Sequence, residues 1–412
     1  MENFPNYITP KLFESRYNHI RKYLRSNNLG ALIAYSTPPE HKWGQTGHVS
    51  YLSGWANHDR ITDNLVVIPV EGDVSLLFTG LPYMFPQIKK VSYLQDLRMV
   101  KPVDPNAIAI DTRKQTNVGT LKSFAEEILL ILKANKLDNK KIAVVGINNM
   151  SILLYQHLKE NLKENFHIPT EDIVAEMRSI KSPEEIKMLK HAAFLGDVGF
   201  KKMQSSARPG IRGIELVAEM EHAVRELGAD HAKYWMSSGP PNKWEDTDLD
   251  IKPHLRTLQS GDIINVCSYI TYKGYWSHGM RIGILNGDIP KSFKNIFNIA
   301  RDAQNEGLNT AKPGIPVGNI AKAIRENITK HNWALSGGRV GHGCGLDYSE
   351  SPIPSESNTT PLEENNTIIV HPAFTLPESG KMFIPLGDQF QVTKNGINLL
   401  MEFPREIVPL GN

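Results

Sequence analysis

The chain has 412 residues, too long for one ordinary domain and suited to two. Hydrophobic residues make up 40% and charged residues 22%, enough for a sizeable core, and a formal net charge of +2 argues against a general nucleic-acid binder. With only Cys267 and Cys344, a disulfide framework is not expected.

The opening stretch MENFPNYITPKLFESRYNHIRKYL turns from acidic to aromatic to basic and amphipathic. It lacks the basic start and apolar core of a signal peptide. No apolar run reaches the roughly 20 residues that cross a bilayer. A cytoplasmic location without membrane attachment is expected.

FESRYNHIRKYLRSNN carries apolar residues at helical spacing, and ALIAY (31–35) reads as a buried strand. NLVVIPV and VSLLFTG flank the charged turn EGD as a hairpin. AIAID (107–111), a helix around 118–136, the strand IAVVG (142–146) and the helix MSILLYQHLKENL continue an α/β alternation. No phosphate-cradling glycine motif follows any of these strands. An N-terminal α/β domain over 1–175 and a second domain over 176–412 are expected.

Ser182-Pro183-Glu184-Glu185 opens the second domain with a helix start: a capping serine, proline in the first turn, and glutamate three residues after the cap. AlaArgProGlyIle at 207–211 precedes one helix, and AlaLysProGlyIle at 311–315 precedes another. The offset of 104 residues points to an internally duplicated domain. The strand-like pieces DIINVCSYI, GYWSHGMRIGIL, NNTIIVHPAF and DQFQVTK lie between helices, as in a curved sheet with helices against one face.

Four residues stand out for chemistry: Cys267, His278, His342 and His371. Cys267 and His278 are eleven apart and would face oppositely on one strand. Gly274 and Tyr275, after ThrTyrLys, suggest instead a hairpin that brings both side chains together. His342 sits in GlyHisGlyCysGly, where the flanking glycines permit close backbone approach. Thiolate and imidazole are ligands for zinc and other transition metals. Spacing alone leaves the plain readings open, a buried thiol and structural histidines, because there is no compact CxxC or HExxH motif.

From SerProGluGluIle onward the chain resembles the creatinase/aminopeptidase, or M24, superfamily. The segments that carry the resemblance are SGDIINVCSYITYKGYWSHGMR (260–281), GHGCGLDYSESP (341–352), NTIIVHPAF (367–374 with the preceding Asn366) and GDQFQVTKNG (387–396). TyrLeuSerGlyTrp at 51–55 fits more loosely. The resemblance implies an α/β architecture: a pita-bread catalytic domain with an internally duplicated α/β arrangement, beside a separate N-terminal α/β domain. It also implies a homodimer acting on a small molecule.

Family peptidases bind two divalent metals through Asp, Asp, His, Glu and Glu. In this chain those positions match Cys267, His278, His342, His371 and Gly387, with Asp388 adjacent. Lost carboxylates argue against the standard dinuclear centre. Two designs remain: one transition-metal ion such as zinc on Cys267, His278, His342 and His371, or a metal-free site as in creatinase. In the second, His342 or His371 does proton transfer, with Cys267 as a lower-ranked nucleophile.

The family's second catalytic histidine matches Ser349, and Glu350 beside it is an acid or an orienting residue. Arg281 is a candidate clamp for a substrate carboxylate. Trp244, His254 and Trp276 are candidate substrate contacts, and Trp55, His58 and Arg60 are candidates to reach a neighbouring subunit's cleft. The expected function is creatinase-like hydrolysis of an amide, amidine or ureido C–N bond in a small polar metabolite. A divergent metal-dependent Xaa-Pro peptidase, a lyase and a non-catalytic metabolite-binding protein are the alternatives.

Overall fold

The structure is a computed structural model that describes residues 8–36, 47–55, 63–80, 84–103, 121–241, 255–376 and 382–411. The candidate strand at 107–111 and residues His58, Arg60, Trp244 and His254 lie outside the described residues. The chain divides into two compact units, residues 6–178 and 179–412. Among the described residues, no helix is long and apolar enough to cross a membrane.

The first unit runs α1 (Pro10–Ser26), β1 (Leu29–Ser36), α2 (Gly47–Ser53), β2 (Asn64–Pro69), β3 (Ser75–Phe78), α3 (Met84–Val91), β4 (Asp96–Met99), α4 (Phe124–Ala134), β5 (Lys141–Val145), α5 (Ile152–Leu162), β6 (Phe166–His167) and α6 (Ile173–Ser179). Its strands form one sheet in the order β4-β3-β2-β1-β5-β6. β2 and β3 pair antiparallel across the Glu71-Gly72-Asp73 turn, while β1 and β5 run parallel. Ile33, Val67, Leu77 and Val144 from the sheet pack with Phe124, Ile128 and Leu158 from the helices. That α/β layering is what alternating strand and helix patterns produce.

The second unit begins with α7 (Pro183–Ser206) and α8 (Gly213–Glu226), followed by β7 (His231–Gly239), β8 (Ile263–Tyr272) and β9 (Tyr275–Leu285). It continues with α9 (Lys291–Asn309), α10 (Gly318–Thr329), β10 (Ala334–Leu335), β11 (Gly341–Gly343), β12 (Thr367–Val370), β13 (Phe374–Thr375), β14 (Met382–Phe383), β15 (Asp388–Thr393), β16 (Gly396–Leu399) and β17 (Val408–Leu410). The capping box at the start of α7 is complete: Glu185 N donates to Ser182 Oγ at 3.2 Å, and Ser182 N donates to Glu185 Oε2 at 3.0 Å. Pro183 fits there because its missing N–H would be an orphan in the first turn anyway.

Two four-stranded sheets organise this unit, β17-β9-β8-β7 and β11-β12-β15-β16. They meet where Met280 N donates to Gly387 O at 3.1 Å and Gly387 N donates to Met280 O at 3.3 Å. Each sheet is preceded in the chain by a helix pair, and the turns inside the pairs are built alike. Gly210 N donates to Leu258 O and Leu258 N to Ile211 O, both at 2.9 Å; Gly314 N donates to Leu362 O and Leu362 N to Ile315 O, both at 2.8 Å. Corresponding residues in these two sets are 104 apart, the offset of the sequence repeat. Gly210 and Gly314 both have positive φ, +90° and +83°, the left-handed region that favours glycine. The duplication is thus built into the hydrogen bonding.

Candidate active site

The β8–β9 hairpin turns at Lys273 and Gly274, whose φ values are +52° and +79°. Its register sets Tyr269 opposite His278 and Cys267 opposite Met280. Since side chains alternate along a strand, residues 267, 269, 278 and 280 share one face. Cys267 and His278 are diagonal neighbours there: Sγ lies 3.6 Å from Nδ1 and 3.8 Å from Nε2.

His342 comes from β11, and His371 follows the last residue of β12. Cys267 and His371 are themselves 104 residues apart, so they hold corresponding places in the two halves. The three imidazoles form a triangle. Ring centres of His278 and His371 are 5.1 Å apart, those of His342 and His371 5.2 Å, and those of His278 and His342 6.2 Å. The structure therefore brings together all four residues expected to carry the chemistry.

Two tyrosines complete the cluster and were not singled out from the sequence. The Tyr269 ring stacks on His278 at 4.6 Å, and Tyr348 packs on His342 at 4.5 Å and on His278 at 5.3 Å. The Tyr269 side chain hydrogen-bonds with those of Cys267 and Tyr348. Trp276, buried, stands edge-on to Tyr348 at 5.8 Å and packs with the cluster. Tyr269 was findable, because it lies two residues beyond Cys267 on the same face. Tyr348, six residues beyond His342 in a segment without regular periodicity, carried no such signal.

Burial sets the protonation of the cluster. Cys267, His278 and His342 are fully buried, and Nε2 of both His342 and His371 is shut off from solvent. Desolvation, followed by the neighbouring imidazoles, holds His278 well below the ordinary histidine range. Burial lowers His342 to about 3 and His371 to about 4. All three are therefore neutral near pH 7. Desolvation also pushes the Cys267 thiol far above its usual value. A thiolate nucleophile at Cys267 is not supported, because desolvation by burial disfavours that charge.

Arg281 corrects an expectation. It faces away from the histidines, because it is an odd number of residues from His278 on the same strand. It is fully buried, and its donors are already engaged: NH1 donates to Met280 O and Gly387 O, both at 2.8 Å, and NH2 to Asp388 Oδ1 at 2.9 Å and Phe403 O at 3.1 Å. Nε donates to Phe403 O at 3.3 Å. With all five N–H groups occupied, it is a structural strut and not a clamp for a substrate carboxylate.

Asp388 belongs to the same strut. Its second oxygen accepts from Arg405 Nε at 2.8 Å. It does not stand in for the missing last glutamate. At Gly387 itself, a Cβ would meet Met280 N at 3.1 Å and the His371 Cβ at 3.3 Å.

Glu350 is also engaged elsewhere. Its Oε1 accepts from Lys181 Nζ at 2.5 Å, with both side chains largely buried. A free catalytic acid is therefore a poorer description of Glu350 than a partner of Lys181. Ser349 is exposed. Trp55 lies in the core of the first unit, edge-on to Phe78 at 5.9 Å. Among the described residues, no group of three or more His, Cys, Asp and Glu side chains stands ready around a point that could hold a metal ion.

Comparison with known proteins places these observations. Residues 187–394 match the metallopeptidase family M24. An uncharacterized peptidase of Bacillus subtilis, YqhT, is 30% identical over 272 residues, 64% of this chain and 73% of that protein. A Xaa-Pro dipeptidase of Pyrococcus horikoshii is 26% identical over 299 residues, 69% of this chain and 81% of its own length. Among solved structures, an X-Pro aminopeptidase from Thermotoga maritima superposes with a TM-score of 0.76 at 21% identity, covering 96% of this chain and 99% of that one. Over half of its length and with the pita-bread arrangement of two duplicated halves, the chain belongs to metallopeptidase family M24.

Proposed function

We propose that the chain is a hydrolase of the C–N bond in short peptides, Xaa-Pro dipeptides among them, with the histidine cluster at its reaction centre. One observation carries this reading. Four polar side chains converge where the two sheets join, in a place where apolar residues would pack without cost. Burying acceptor atoms with no partner is unfavourable by several kcal/mol at most and about 1 kcal/mol at least. Nε2 of His342 and of His371 are such atoms, with no hydrogen-bond partner among the described residues. The relatives named above favour a peptide bond over the amidine or ureido bond that the sequence put first.

The family name implies metal ions. The residues here do not fit two carboxylate-bridged cations. Three neutral imidazoles and a thiol provide no bridging carboxylate, Gly387 has no side chain to give, and Asp388 is bound to Arg281 and Arg405. Such a pair of ions is no part of the chemistry proposed for this chain.

What the side chains themselves do is narrower. Neutral His342 and His371 present Nε2 lone pairs that accept hydrogen bonds from a water or a substrate N–H, and so orient it. Tyr269, Trp276 and Tyr348 wall the cluster and keep bulk water out, which strengthens those bonds. Cys267 remains a protonated thiol in this arrangement.

The test is a turnover assay of purified protein on a panel of Xaa-Pro dipeptides, other dipeptides and creatine. Dipeptide cleavage is expected, with kcat/KM falling roughly a hundredfold or more in His371→Ala. Preference for creatine would restore the amidine reading. Binding of a dipeptide with no turnover of any compound would overturn hydrolysis.

A further inference from the structure

We infer that this chain has exchanged a carboxylate-bridged pair of ions for a single-ion site, in which Nε2 of His278, His342 and His371 and Sγ of Cys267 hold one borderline transition-metal cation of the zinc or cobalt class. The inference does not require the hydrolysis proposed above, but a bound ion would take up the Nε2 lone pairs of His342 and His371 that the metal-free reading uses to orient water or substrate. A protein that binds one ion and cleaves no peptide would keep the first and lose the second.

The histidine tautomers carry the argument furthest. Metal-binding histidines nearly always fix one ring nitrogen on a carbonyl or carboxylate, so that the other nitrogen points its lone pair at the ion. Here His278 Nδ1 lies 2.8 Å from Ser268 O, and His342 Nδ1 lies 3.0 Å from Gly343 O. Nε2 of His371 is buried with no hydrogen-bond partner among the described residues. That leaves Nε2 as the inward atom of each ring. Two of these acceptors, Nε2 of His342 and of His371, are buried with no hydrogen-bond partner among the described residues, and such neighbouring lone pairs repel one another unless a donor or a cation is shared.

The distances agree with one shared ion. A metal–nitrogen bond of about 2.0–2.1 Å puts each ring centre roughly 3 Å from the ion, and two such rings at a tetrahedral angle about 5 Å apart. The His278–His371 and His342–His371 separations of 5.1 and 5.2 Å meet that value. His278 and His342, at 6.2 Å, must close by about 1 Å. Among the described residues these groups do not already stand around one point, so the ion itself would have to draw them in. A sulfur and a nitrogen on one tetrahedral zinc are roughly 3.5 Å apart; Cys267 Sγ is 3.8 Å from His278 Nε2 and 3.6 Å from its Nδ1, so the thiol must also turn toward Nε2 to share the ion.

The donor types choose the ion. Imidazole and thiolate suit zinc and cobalt, whereas magnesium, calcium and manganese require oxygen ligands. Binding transfers the thiol proton of Cys267 to solvent, one proton per ion, as the sulfur becomes a thiolate ligand.

The experiment uses the full chain, stripped with chelator and confirmed folded by circular dichroism. It is then incubated separately with Zn(II), Co(II) and Mn(II) and gel-filtered before elemental analysis. One zinc or one cobalt per chain is expected, with manganese lost. The cobalt form should show the intense visible bands of a four-coordinate ion and a near-ultraviolet sulfur-to-cobalt band. Cys267→Ser should keep visible bands and lose the near-ultraviolet one, and His371→Ala should weaken retention at least tenfold. The Cys267→Ser spectrum keeps the test open if a histidine variant does not fold. Two ions per chain, retention of manganese over zinc, no retained ion in folded protein, or an unchanged near-ultraviolet band in Cys267→Ser would each overturn the inference.

Discussion

Arg281 and Asp388 lie back to back with the histidine cluster, one residue beyond Met280 and Gly387 at the junction of the sheets. Their pairing holds the two halves together beneath the cluster, and Arg405 adds a second guanidinium to the same carboxylate. Removing one member of a fully buried pair leaves an uncompensated charge and costs about 3–5 kcal/mol. Asp388→Asn should therefore lower stability by that order, read as a fall in denaturant midpoint. A change under about 1 kcal/mol would mean that the strut is solvated in practice. His191 offers a cleaner pH experiment. It is buried against Phe194 and Tyr272, with ring centres 5.8 and 4.1 Å away, and burial lowers its pKa. The unfolded chain then takes up a proton below about pH 6.5 that the folded chain refuses. The contribution of His191 is present above that pH and is lost as pH falls through the lowered folded value. His191→Phe should remove this part of the acid sensitivity, at most about 1.4 kcal/mol per pH unit. Denaturant midpoints at pH 7 and pH 5 for both proteins decide it, and an unchanged slope in the variant would refute the assignment.

Elements with strong local signals were legible. The capping box of α7 follows from the serine, proline and glutamate at its start, and the β8–β9 hairpin from the lysine-glycine turn between two apolar runs. Short pieces were not. β10, β13 and β14 have two residues each, too few for any periodicity, and β17 pairs parallel with β9 across more than a hundred residues of chain. Close helix packing is equally invisible in a single sequence. Gly307 in α9 has no room for a methyl group, since a Cβ would meet Ile324 Cγ1 at 2.6 Å and Ile320 O at 2.9 Å. Alanine is the better helix former by about 1 kcal/mol, yet overpacking costs about 1–3 kcal/mol. Gly307→Ala should thus lower Tm. A rise would show that α9 and α10 separate at little cost.

For the molecule as a whole, the duplication is the organising fact. Gly210 and Gly314 make the same turn with the same hydrogen bonds, and a Cβ at either would meet nothing within 4 Å. Alanine at either site therefore carries only the backbone penalty of a positive φ, about 1–2 kcal/mol. Gly210→Ala and Gly314→Ala should cost the same within about 0.5 kcal/mol, measured by thermal or denaturant unfolding. Unequal costs would mean that the two turns are alike in outline only. The same symmetry sets Cys267 and His371 in corresponding places, which is why a thiol from one half and an imidazole from the other reach one cluster.

The sequence alone determined the strongly patterned helices and strands, the repeat, the family and the identities of Cys267, His278, His342 and His371. Each of these is written in short-range preferences: capping, turn glycines, apolar period and motif spacing. Tertiary structure decided the roles. Arg281 and Asp388 turned out to brace each other, Glu350 to bind Lys181, and Tyr269 and Tyr348 to wall the histidines. Those outcomes depend on which residue of β9 meets which residue at the start of β15, a non-local pairing that no local pattern encodes. The neutrality of the cluster has the same origin, because desolvation is a property of the assembled core and not of any residue within it.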